Sequence, residues 1–199
     1  MYALVENNTI TKYFNSPKGF TLGDKQYPSD IFMKWSVEEK EAIGIHEVIF
    51  DDSNKKDEAW YINTNQSYAF ANDTVTATYG IATPKAHADT NATEADGVEL
   101  DPVVVIPGLK TKLIKNLKIT VANELAKTDW YITRNTEKTT AIPSSISTHR
   151  DAVRTKQAAQ EAQITSASDT AALETLHTYT TDANGVQSRP LGTLPTLEI

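Results

Sequence analysis

Residues 83–102, TPKAHADTNATEADGVELDP, limit the fold of this chain more than any other stretch. They are rich in Ala, Thr, Asp and Asn and contain almost no large apolar groups. A segment with so little to bury cannot offset the entropy of ordering its backbone. It therefore reads as a linker, and the 199 residues divide around it. Each side is long enough for a modest core and too short for a large one. The expected fold class is α+β. A small, mostly antiparallel β-rich domain with one short helix occupies residues 1–82. A linker follows over 83–107, then a helical module of two to three helices over 108–179, and an extended C-terminal arm over 180–199.

In the first part, YALVE and TITKYF are β-prone runs around Asn7-Asn8. Asn tolerates positive φ, so they read as a hairpin. The stretch NSPKGFTLGDKQYPSD is too dense in turn residues for regular structure, with Tyr27 and Phe32 as its anchors. Ser36 and Glu39 have capping-box spacing, and Gly44 supplies a left-handed stop. The helix between them should turn Val37 and Ile43 inward, with Trp35 stapled onto its first turn. Residues 45–50 read as a strand. Residues 59–82 read as two or three strands, turning at residues 63–65 and at Asn72-Asp73. Thr74-Val75-Thr76-Ala77-Thr78-Tyr79 alternates as a sheet with one wet face does.

In the second part, residues 103–106 (VVVI) add a strand before Pro107-Gly108. Leu109, Leu113, Ile114, Leu117, Val121 and Leu125 then form one apolar stripe on a helix of roughly five turns. Ile119 falls off this stripe and is available to a partner chain. A second helix is expected over 144–163 after Pro143, with Ile146 and Val153 inward. A short one capped by Ser168 should carry Ala172, Leu173 and Leu176.

The formal net charge is −7 and the sequence pI about 5.1. Such a chain is a poor nucleic-acid partner, because phosphate contacts need clustered Lys and Arg. With no cysteine there are no disulfides, thiolate nucleophiles or Cys-based zinc sites. No apolar run approaches the roughly 20 residues that span a bilayer, so no membrane partner is expected. MYALVENNTI lacks a basic region followed by an apolar core, so no signal peptide is expected.

His46, His87, His149 and His177 fall on four separate segments without metal-ligand spacing. Asp51-Asp52 and Glu38-Glu39 lie in a charged loop and at a helix start, where the helix dipole already favours them. No phosphate-binding loop, nucleophile elbow or zincin motif occurs. Catalytic, cofactor-binding and metal residues are therefore expected to be none. The candidate partner-binding residues are Trp130, Arg150, Arg154, Leu194, Leu197 and Ile199. Arg150 and Arg154 sit four apart on one helical face. They read either as a fork for carboxylate or phosphate, or as a fixed pair reaching Asp129 or Glu124 of the preceding helix. Trp130 reads as an anchor buried against the two long helices, and its residue type is also enriched at interfaces. The arm holds two prolines and two glycines yet carries Leu191, Leu194, Leu197 and Ile199 with few charges. It is expected to dock in extended form on a neighbour, the alternative being that it folds back onto its own helices.

Two stretches carry a family resemblance. MYALVENNTITKYFNSPKGFTLGDKQYPSDIF, followed by WSVEEKEAIGI, resembles the opening of small tailed-phage proteins of marine and cyanobacterial viruses. LAKTDWYITRNTEKTTAIPSSISTHRDAVRTK resembles the helical C-terminal module of the same proteins. That module is similar to one in phage tail-fibre assembly proteins. The resemblance implies a virion structural protein of the tail or baseplate, made in the host cytoplasm. It would connect or support tail fibres through contacts with other tail, baseplate or fibre proteins, and form a homo-oligomer in the particle. The alternative it allows is a fibre-assembly chaperone. It implies no catalytic residues. A wall hydrolase would need an acid pair in a cleft or a metal site, and the sequence offers neither.

Overall fold

The computed structural model describes residues 1–197. It is an α+β protein whose chain divides into two compact units between Thr83 and Pro84.

In the first unit, β1 (Tyr2–Glu6) and β2 (Thr9–Phe14) form a hairpin, turned by Asn7 and Asn8 at φ 51° and 61°. A second hairpin, β3 (Phe20–Leu22) with β4 (Lys25–Tyr27), lies in the stretch expected to be irregular. Aromatic contact holds it, since Phe20 packs 5.0 Å from Phe14 and 5.3 Å from Tyr27, centroid to centroid. Helices α1 (Ile31–Lys34) and α2 (Val37–Glu41) follow. Both halves of the capping box form: Glu39 N–H donates to Ser36 Oγ, and Ser36 N–H to Glu39 Oε2. Val37 was expected inward but is 52% exposed, and Lys40 is the buried residue of α2. With only five residues the helix has no second turn to bury, so Ile43 packs from beyond its end.

Strand β5 (Ile45–Asp51) enters the main sheet, followed by β6 (Tyr61–Ile62), β7 (Gln66–Ala71), β8 (Thr74–Tyr79) and β9 (Thr83–Pro84). The five-stranded sheet runs β2-β1-β5-β8-β7, and every pairing is antiparallel except β5 with β8. Alternation sends neighbours to opposite faces. Leu4, Phe14, Phe20, Phe32 and Ile45 pack on one side, and Ala3, Val48, Val75 and Ala77 on the other.

Residues 83–107 are not a structureless linker. They form a β-ribbon from β10 (Thr90–Asn91) and β11 (Val105–Ile106), continued toward its tip by a Thr93–Glu99 bridge. Ribbon hydrogen bonds need no apolar core, and so composition concealed them. The root is tied down where Leu109 N–H donates to Ala86 O and Gly108 N–H to Asp89 Oδ1.

Four helices follow: α3 (Leu109–Ala126), α4 (Asp129–Lys138), α5 (Ser144–Ser166) and α6 (Thr170–His177). Contacts from Lys110 to Thr165, Lys118 to Glu161 and Leu125 to Arg150 make α3 and α5 an antiparallel pair. Helix α4 exceeds the expected number and buries no residue. It stops where Thr139 takes the left-handed conformation, φ 53°. Asp169, not Ser168, caps α6, accepting from Ala172 N–H.

The arm is a further correction. It turns through a small hairpin, β12 (Thr180–Thr181) with β13 (Gln187–Ser188), and folds back onto its own helices. Leu191 is buried, and its N–H donates to Leu176 O.

Candidate functional site

The α3–α4–α5 junction gathers most of the polar candidates. Helix α5 begins after Pro143, whose fixed φ suits a helix start. Two turns later it delivers Arg150 to the end of α3. Arg150 is only 8% exposed. Its Nη1 donates to Leu125 O at 2.8 Å, Thr128 Oγ1 at 2.7 Å and Asp129 Oδ1 at 2.9 Å. These acceptors are the loose end of α3, the connecting turn and the first residue of α4. A helix C-terminus leaves carbonyls unpaired and carries partial negative charge, so a guanidinium fits there. Arg150 is thus a structural clamp, as the fixed-pair reading had it. Arg154 does not join it, for it points to Asp151 of its own helix at 3.3 Å and is exposed.

Trp130 was expected in the core, but the structure leaves it 51% exposed on α4. The ring lies against Tyr131, centroids 3.8 Å apart, with the Arg134 guanidinium 5.8 Å from it. Beside the clamp, His149 is buried with Nε2 3.5 Å from Glu124 Oε1, without completing a hydrogen bond. The hydrogen-bonded Lys127 ammonium holds the Glu124 carboxyl below its usual range, against the opposing effect of burial.

The arm's seat is built by Gln160, which is 2% exposed and donates from Nε2 to both Leu191 O and Gly192 O at 3.1 Å. Leu194 and Leu197 are half-buried against the α3–α5 pair, at cavities also lined by Leu117 and by Ala152. They face this chain rather than open solvent. Ile199 lies outside the described residues.

Two further surfaces are open: the ribbon, which sequence reasoning missed, and the α3 flank at Ile119, which it had left available to a partner chain. On the ribbon, Val98, Val103, Val104, Val105 and Ile106 are each 49–61% exposed. On α3, Ile119 is 51% exposed beside Lys115 and Lys118. The available signal was charge blocking: five acids fall between residues 89 and 101, and four lysines between 110 and 118. Among the described residues, no cluster of three His, Cys, Asp or Glu is placed to hold a metal. Nor is any helix there long and apolar enough to cross a membrane. Comparison of the chain with family models, curated proteins and solved structures found no match.

Proposed function

We propose that this chain is a structural protein of a tailed-phage tail or baseplate, acting through contacts with fibre, tail or baseplate proteins. The observation that carries the contact-making part is the uncovered apolar ribbon. Five exposed aliphatic residues on one hairpin exceed the scattered single exposures of an ordinary surface. The phage context rests on the resemblance of the two quoted stretches. On this reading the first unit is a compact scaffold, and the second presents the contact surfaces. Arg150 and Gln160 hold those surfaces in shape without touching a partner.

Mass spectrometry of purified particles of the encoding virus tests the reading. A structural component appears at a fixed copy number relative to other tail proteins. Absence from mature particles contradicts the proposal and moves the chain to the role of a dissociating fibre-assembly chaperone.

A further inference from the structure

Two surfaces of the second unit are open, and their chemistry is complementary. The first is the ribbon. Consecutive strand residues point to opposite faces, so the run from Val103 to Ile106 makes both faces apolar. Neither face is covered, because all four residues are about half exposed. Around them lie Asp89, Glu94, Asp96, Glu99 and Asp101, with no lysine or arginine between Lys85 and Lys110.

The second surface is the flank of α3 beside its apolar stripe, sharing Ile114 with it. It is a shallow groove of about 490 Å³ lined by Thr111, Ile114, Lys115, Lys118, Ile119 and Ala122. Its apolar floor is flanked by basic charge, since Lys110, Lys112, Lys115 and Lys118 precede the first acid of α3, Glu124. These lysines crowd the N-terminal half of the helix, where the dipole disfavours positive charge. The first turn contains no acidic residue to offset it. Lys110 reaches Thr165 O, and Lys118 lies 3.9 Å from Glu161. An acidic partner with an apolar centre suits this flank, and the ribbon has that composition.

The ribbon does not serve its own helix. Its root is fixed to the α3 N-terminus by the Gly108–Asp89 and Leu109–Ala86 bonds, and the α3 groove stays open beside it. We propose that the ribbon of one copy of this chain lies on the α3 flank of a second copy. Valines cover Ile119 and Ile114, and the ribbon carboxylates face Lys115 and Lys118. The contact joins two different patches. It therefore closes as a reciprocal pair or a ring, or runs on as a filament. Opposite charge speeds the encounter and sets its register. This pairing deepens the contact-making reading above. It is tested on the purified chain alone, so its failure is distinguishable from absence in the particle.

Sedimentation velocity at tens of micromolar compares three full-length chains: the natural one, a Val104→Lys/Val105→Lys ribbon variant and a Lys115→Glu/Ile119→Glu flank variant. All four positions are exposed, so helicity by circular dichroism should be unchanged. Should the Ile119 change disturb it, Lys115→Glu/Lys118→Glu replaces that variant. The natural chain is expected to self-associate, less so at high salt. Each variant alone is expected to sediment as a monomer. An equimolar mixture of the two variants is expected to recover a pair, since each supplies the surface the other lacks. A monomeric natural chain overturns the proposal, as does a variant that associates like the natural one. A mixture that stays monomeric also overturns it, by assigning association to like surfaces.

Discussion

Arg150 shows how much one side chain contributes at a helix junction. Three acceptors, from the end of α3, the connecting turn and the start of α4, converge on one nitrogen, and removal takes away the buried cation that ties them together. Arg150→Ala is therefore expected to cost about 2–4 kcal/mol in denaturant unfolding. Arg154→Ala, at an exposed pair, should stay within about 0.5 kcal/mol. Equal losses at the two positions would contradict the clamp. Glu124 gives a pH-dependent test. Its folded pKa is depressed, chiefly by the Lys127 hydrogen bond. Its contribution is thus full above the unfolded glutamate pKa, about 4.3, and is lost as pH falls through the folded value. The stability gap between the natural chain and Glu124→Gln should close on acidification, and a gap constant from pH 7 to pH 3 would refute this. The clamp was legible in the sequence because Arg150 falls in the first two turns of α5, within reach of Asp129. Trp130 was not. A tryptophan reads as a core anchor, but its exposure depends on which face α4 turns to α3, and α4 is short and polar.

At the scale of elements, local punctuation was the most readable part. Asn7-Asn8, Asn72-Asp73 and the Ser36–Glu39 box all form where their chemistry places them. Gly44 has φ 79°, and a Cβ there would run into the Val5 carbonyl, which accepts no such neighbour. Gly44→Ala is expected to lower stability by at least about 1 kcal/mol by thermal or chemical melt, from positive φ and the clash together. Tolerance of alanine would mean that the α2–β5 turn is not as described. The ribbon was unreadable for a different reason. Main-chain pairing along residues 90–106 leaves no mark in composition, and the acidic, Ala-rich sequence looks the same with or without it. The arm's path was ambiguous in the same way, because Leu191 could meet its own helices or a neighbour's. It meets its own, at 4% exposure, so Leu191→Ala should cost about 2–4 kcal/mol. A loss below about 0.5 kcal/mol in equilibrium unfolding would detach the arm from the module.

At the scale of the whole chain, α+β content and a division near residue 83 follow from patterning and from the apolar-poor stretch. What patterning could not supply is which apolar residues remain uncovered after folding. Exposure of the ribbon is a tertiary outcome, fixed by what fails to pack over it. The central claim is that this uncovered surface makes contacts between chains. Carbodiimide coupling on an equimolar mixture of isotope-labelled and unlabelled chains measures it most directly, since zero-length bonds join only touching carboxylates and amines. The account predicts mixed-isotope peptides linking Glu94, Asp96, Glu99 or Asp101 to Lys112, Lys115 or Lys118. Links confined to single chains, or mixed-isotope links that avoid the ribbon and α3, would contradict it.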